Sequence, residues 1–463
     1  MGPFDAVMWG VEEDPMLRSV ITVVMLLDRE PDLIAGAQRI ERMTRVVPKL
    51  RQRVVGNPLS IIPPRWETDP NFDLNYHLRW QRLPRRGNLR DVLELAEQIT
   101  EQDFDRSRPL WEMTLVTGLT KRQSAVIFKI HHAITDGVGG MQMAATMFDL
   151  EREPTNDLGP MPDAPTPDVP GMDGRLEQAM AYEAQSTASQ LTGAVSASAG
   201  FAKRAVTDPV TTVVATHQWG ASAIRMLAPI GKPLSDVMKD RSLSVSFSIV
   251  EVPLDDLKAS AKVVKGSLND AFMAAVTGGL RRYHLKNNSH VESLRVNMPI
   301  SLRSPDDASG ASGGNRWVPA RFEIPIALRS ADARMRQLHP ILAQARNEPA
   351  RGLSDLVYRT LNVLPRAVTT SIAGGMMKGV DVAATNVPGP PIPLYLSGAK
   401  VLALVPFAPK AGAAVNIGLM TYDGTCFVGI NIDRAAVEDP EELTQCFADA
   451  FAEVVEVGEP PAT

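Results

Sequence analysis

Two adjacent histidines, His131 and His132, are followed by Asp136 and Gly137 in the run Ile130-His-His-Ala-Ile-Thr-Asp-Gly. A neutral imidazole, with an ordinary pKa of about 6.5, is mostly unprotonated at pH 7 and takes a proton from a hydroxyl or thiol unaided. The preceding run, Ala125 to Ile130, reads as a β-strand, and adjacent strand side chains point to opposite faces. One histidine therefore faces a cleft and the other the core or a structural partner, with His132 the better candidate for the base. Asp136 acts on the imidazole directly or holds the loop through an arginine elsewhere. Gly137 removes a Cβ where a substrate passes. No third ligand stands at His-x3-His or Cys-x2-Cys spacing, so no metal site is expected.

The elements that must position this pair are legible in outline. Beyond the motif, Met141, Ala144, Ala145 and Phe148 have helical spacing, so the histidines sit where a strand hands over to a helix. Upstream, residues 17–27 read as a β-branched strand, and Asp32 caps a helix with Leu33, Ile34, Ala37 and Ile40 on one face. A loop segment carrying Trp66, Phe72, His77 and Trp80 follows. Residues 89–101 form an amphipathic helix, Pro109 to Glu112 opens a strand, and Trp111 belongs to the core. Six prolines between Pro154 and Pro170 mark a linker. An Ala/Ser/Thr/Gln-rich helix over 174–205 and an apolar piece with Trp219 and Met226 complete a crossover. The expected division is 1–150, then a linker over 151–240, then 241–463. In the last part, strands are expected from Leu243, Val296, Arg321 and Ala414, and a hairpin through Asp423-Gly424 into Cys426–Asp433. Its helices are 254–263, one starting at Leu268 behind Ser267, and 441–457.

Composition bounds the function. Hydrophobic content of 44% and charged content of 22% describe an ordinary globular chain, and a net charge of −5 argues against a nucleic-acid partner. Two cysteines in 463 residues, Cys426 and Cys446, suggest a reducing compartment. No apolar run approaches the roughly 18 residues of a membrane span, and no signal segment is visible at the N-terminus. A cytoplasmic protein is expected.

The pattern His-His-x-x-x-Asp-Gly is the signature of the CoA-dependent acyltransferase superfamily. More narrowly, the chain resembles the bacterial wax ester synthase/acyl-CoA:diacylglycerol acyltransferase family. Other stretches carry the resemblance in family order: Pro3-Phe-Asp-Ala, Phe104-Asp-Arg-Ser-Arg-Pro-Leu-Trp-Glu, Leu268-Asn-Asp, Met298-Pro-Ile-Ser-Leu-Arg, Gly314-Asn, Asn386-Val-Pro-Gly-Pro and Tyr422-Asp-Gly.

The resemblance implies an α/β (α+β) fold of two similar chloramphenicol-acetyltransferase-like domains with the active site at their interface. It implies O-acyl transfer from acyl-CoA, as substrate and with no cofactor, to a hydrophobic hydroxyl acceptor, diacylglycerol or a fatty alcohol. His132 would be the general base, without a covalent intermediate, and His131 would support the motif strand. Asn269 would serve the oxyanion or shape the pocket beside Asp270, although both residues also read as simple first-turn capping. Asp136 would pair with an arginine, for which Arg303 is the candidate, and His77 matches a family histidine for which a structural role is expected. Work on lipids implies peripheral contact with the inner membrane face or lipid droplets; the oligomeric state is open. The chain departs from the family in having Phe4 where leucine is common, in its Ala/Ser-rich linker and in the approach Pro233–Arg241. These departures leave the acceptor open, so that another acceptor, or a non-catalytic lipid-binding paralogue, stands as the alternative.

Overall fold

The computed structural model describes residues 1–56, 64–135, 137–153, 158–167, 171, 174, 177, 181, 232–301, 317–346 and 366–459. The chain opens on helix α1 (Pro3–Val11), where the sequence pattern predicts none. Strand β1 (Val20–Leu27) and helix α2 (Leu33–Val46) follow as expected, with Asp32 accepting the amides of Ile34 and Ala35 at 2.9 Å. The buried side of α2 is Ile40, Met43 and Thr44; Leu33 and Ile34 at its first turn are exposed. The stretch expected as a loop is structured: a β2–β3 ribbon (Gln52–Val55, Arg65–Thr68), the short helix α3 (Leu74–His77) and strand β4 (Leu78–Gly87). Helix α4 (Leu89–Glu101), strands β5 (Trp111–Leu119) and β6 (Ser124–His131), and helix α5 (Gly137–Met147) complete this half.

The other half contains β7 (Val245–Pro253), α6 (Leu254–Val263), α7 (Leu268–Lys286), β8 (Ser293–Ser301), β9 (Trp317–Pro325), α8 (Ala331–Arg346) and α9 (Arg366–Met377). Then come β10 (Val382–Val387), β11 (Tyr395–Leu396), β12 (Ala399–Phe407), β13 (Val415–Tyr422), β14 (Thr425–Asp433) and α10 (Pro440–Glu456). Asp423 and Gly424, at φ 45° and 80°, make the tight β13–β14 turn. The expected helix over 174–205 lies largely, and the apolar piece with Trp219 and Met226 wholly, outside the described residues.

Two six-stranded sheets result, in the orders β11-β12-β1-β6-β5-β4 and β7-β14-β13-β10-β8-β9. Residues 395–407, which the sequence reading assigns to the C-terminal part, thus complete the N-terminal sheet, with β12 running antiparallel to β1. Where β12 crosses the second sheet its backbone comes very close. A Cβ on Gly429 would lie 1.9 Å from the Pro406 carbonyl oxygen and one on Gly418 3.3 Å from it. Gly418 and Gly429 are cross-strand partners, so a pair of absent side chains makes the gap. Asn431 and Asn416 then donate their side-chain amides to the carbonyls of Ala408 and Pro409.

A second seam closes the free edge of β7. Buried Glu97 of α4 accepts the amide of Phe247 at 2.8 Å and the guanidinium of Arg434 at 2.9 Å, and Glu101 accepts the amide of Val245. Phe247 stacks on Phe407 at 4.0 Å. An otherwise unpaired edge is thereby satisfied by the neighbouring half.

Candidate active site

Strand alternation settles which histidine faces what. Phe128, Ile130 and His132 point to one side of the N-terminal sheet; Lys129 and His131 point to the other. On the first side lies an apolar cavity of about 140 Å³. Its floor is laid in rows by strand register: Ile130 beside Ile21, then Phe128, Val23 and Pro406, then Met25 and Leu404. Its roof is one face of α5, Gly140, Met143, Ala144 and Met147, at the i, i+3, i+4, i+7 spacing of a helix. The second sheet supplies Thr385, Val387 and Met420, so the cavity sits between the halves. Along β1 the lining from Ile21 to Met25 extends about 13 Å. His132, Thr135 and Thr385 bring the only polar side chains to this lining among the described residues, and five methionines give it adaptable walls.

On the opposite side His131 is 2% exposed and fully engaged. Its Nδ1 accepts the Ala133 amide at 3.0 Å, so the ring proton sits on Nε2, which donates to Glu12 Oε1 at 2.8 Å. The same Glu12 oxygen accepts the amide of Ser19 at 2.6 Å, while Arg106 reaches Oε2 at 3.3 Å. Burial works to raise the Glu12 carboxyl, but the His131 ring, the Ser19 amide and Arg106 outweigh it and hold the group below its usual range. Trp9 meets the His131 ring edge-on and carries the Arg106 guanidinium on its face at 4.4 Å.

His132 thus borders an apolar cavity that lies between two sheets. The model of the wax ester synthase/diacylglycerol acyltransferase catalytic domain matches residues 1–272, and that of the C-terminal domain of the same family matches 313–454. The chain belongs to the wax ester synthase/diacylglycerol acyltransferase family. It is an acyltransferase, and the family takes acyl-CoA and a hydroxyl acceptor. A putative diacylglycerol O-acyltransferase of Mycobacterium tuberculosis (strain H37Rv) is 36% identical over 462 residues, covering 100% of this chain and 93% of that one. A probable diacylglycerol O-acyltransferase of the same strain is 29% identical, covering 93% and 89%. Among solved structures, the wax ester synthase/diacylglycerol acyltransferase from Marinobacter aquaeolei VT8 superposes with a TM-score of 0.64 at 20% identity, covering 99% of this chain and 100% of that one. The first condensation domain of the calcium-dependent antibiotic synthetase superposes with 0.59 at 13% identity, covering 99% and 96%. Both likenesses show the two-domain fold.

Phe104 and Arg106 converge behind the histidine pair: the Phe104 ring lies under the Lys129 ammonium at 4.3 Å and beside His131 at 6.4 Å. Trp111 is fully buried, donates its indole N–H to Leu50 O and stacks on His77 at 4.5 Å. His77, also fully buried, donates Nδ1–H to Trp111 O at 2.7 Å; burial lowers its pKa, and the contact is a structural one.

Two expected site residues are placed elsewhere. Asn269 is not in the cavity lining and directs its amide to Met298 Sδ at 3.7 Å. Asp270 does not reach the cavity either. It is 2% exposed and its Oδ2 accepts the Ser267 amide at 2.6 Å, the Ser267 hydroxyl at 2.8 Å and His339 Nδ1 at 3.0 Å. The first turn of α7 and His339 thus occupy that carboxylate oxygen. His131, which belongs to the catalytic motif but is expected to support the motif strand, faces away from the cavity and bonds to Glu12 and the Ala133 amide. Gly137 opens α5. Asp136 and Arg303 lie outside the described residues. In the Asn386–Pro390 stretch, Val387 lines the cavity, while a Cβ on Gly389 would lie 1.9 Å from the Thr421 carbonyl oxygen. Glu12 was missed altogether: nothing in Trp9-Gly-Val-Glu-Glu marks a partner 119 residues away.

Proposed function

We propose that this acyltransferase moves a long-chain acyl group from acyl-CoA to the hydroxyl of diacylglycerol or of a fatty alcohol, with His132 as the general base. The observation that carries this reading is the apolar cavity ending at His132. The names of the mycobacterial relatives favour diacylglycerol. In the step, the acceptor oxygen attacks the thioester carbonyl while His132 takes its proton. The carbon–sulfur bond of the tetrahedral intermediate then breaks, and the proton passes from His132 to the departing CoA thiolate. No acyl-enzyme forms. Positioned proton transfer of this kind contributes about 10²–10⁴-fold. Both acceptors are water-insoluble, so the enzyme meets them at a membrane or droplet surface, without a spanning helix: among the described residues none is long and apolar enough to cross a bilayer.

The test is CoA release from a long-chain acyl-CoA with diacylglycerol and a fatty alcohol offered in turn. Acceptor-dependent release by the wild type, lowered by about 10²–10⁴-fold in His132→Ala, is the expected result. Release that His132→Ala leaves intact removes His132 as the base. A folded wild type with no release on either acceptor points to a different acceptor or to a lipid-binding protein.

A further inference from the structure

One carboxylate oxygen, Glu12 Oε1, holds both things that hold His132. It accepts the Ser19 amide at 2.6 Å, and the Ser19 carbonyl in turn accepts the His132 amide at 2.8 Å. It also accepts His131 Nε2–H at 2.8 Å, and the other nitrogen of that ring accepts the Ala133 amide at 3.0 Å. The backbone of the base is thus gripped on its own amide and on the next one, and each grip leads back to the same atom. Glu12 caps the end of α1 and its side chain is 5% exposed, so these bonds are largely shielded from solvent. Its second oxygen is fixed by Arg106, itself laid on Trp9.

We infer that Glu12 is a positioning residue for His132: it sets the turn that aims the imidazole into the cavity and touches no reacting atom. The inference rests on the assignment of His132 as the base. An amide in place of the carboxylate cannot reproduce the arrangement. With its oxygen towards Ser19 and His131, its NH₂ meets the Arg106 guanidinium, donor against donor. In the other orientation the NH₂ meets two N–H groups.

The experiment is a double-mutant cycle on the full chain: wild type, Glu12→Gln, His132→Ala and the double variant, with kcat and KM for acyl-CoA measured for each. Misaiming a catalytic group by about 1 Å costs up to about 10²-fold, so Glu12→Gln is expected to lower kcat by about 10- to 10²-fold with KM changed less than about twofold. In the His132→Ala background the same substitution is expected to change the residual rate by less than about twofold, because the group it aims is gone. Equal losses in both backgrounds, or a rise in KM that accounts for the loss, overturn the inference while leaving His132 as the base. Wild-type turnover by His132→Ala overturns the base assignment and, with it, the role of Glu12. If Glu12→Gln does not fold, Arg106→Gln, at a half-exposed side chain, replaces it in the cycle. It is expected to show the same loss confined to the background that retains His132, and equal losses in both backgrounds overturn the inference there too.

Discussion

At the scale of single residues, β6 sorts its side chains into two jobs by alternation alone. The His132 side serves the cavity; the His131 side carries a buried polar row that includes Lys129. The Lys129 ammonium is wholly buried, donates to Gln102 O at 2.6 Å, and burial brings its pKa down to about 8. In the unfolded chain the group titrates near its ordinary value, about 10.4. Between pH 8 and 10 the unfolded state therefore binds more protons than the folded one, and stability gains from this residue as pH rises. Urea denaturation of wild type and Lys129→Met at pH 7, 8, 9 and 10 checks the sign: the difference moves in favour of the wild type as pH increases, and a constant difference contradicts it. The split between the two histidines was legible in the sequence because it depends only on a period of two. What holds His131 was not, since Glu12 meets it through tertiary packing and has no local pattern to announce it.

At the scale of elements, the strands and helices with a clean local period were readable: β1, β6, α4, the β13–β14 hairpin and α10. Those whose identity is decided by a distant partner were not. β12 reads Ala-Lys-Val-Leu-Ala-Leu-Val-Pro-Phe and is buried along most of its length, which leaves little alternation to detect, and its partner β1 lies at the other end of the chain. In α2 the exposed Leu33 and Ile34 mimic a core stripe that in fact begins at Ile40. Asn269 and Asp270 illustrate the converse: the bland capping reading of Asp270 is what the fold uses. The crossing of β12 over Gly418 and Gly429 is the tightest of these long-range features. Gly429→Ala would press a methyl into the Pro406 carbonyl, and overpacking of this kind costs about 1–3 kcal/mol. Gly418→Ala, whose Cβ would sit at 3.3 Å, is expected to cost less. Denaturation midpoints of the two variants against wild type decide this, and equal midpoints for both refute the close crossing.

At the scale of the whole molecule, the cavity has walls from both halves, because β12 carries C-terminal sequence into the N-terminal sheet while β10 and β13 bring the second sheet alongside. The lining of the cavity comes from both halves, so if it receives the substrate's chain, selection by chain length is expected to depend on the assembled molecule. Ala144 stands in the α5 roof between Met143 and Met147, partway along the lining. Ala144→Phe adds a ring there and leaves His132 and its supports untouched. Long chains are then obstructed, whereas short ones that stop before residue 144 still react. The expected outcome is a fall in kcat/KM of about 10-fold or more for the long-chain substrate and little change for the short one, a difference in transition-state binding of about 1.4 kcal/mol. Varying the acyl-CoA length at fixed acceptor, and then the alcohol length at fixed acyl-CoA, shows which chain occupies the cavity: the series in which the selectivity shifts names the occupant. A uniform loss across both series would mean that the phenylalanine disturbs His132 itself, and that chain-length selection resides elsewhere.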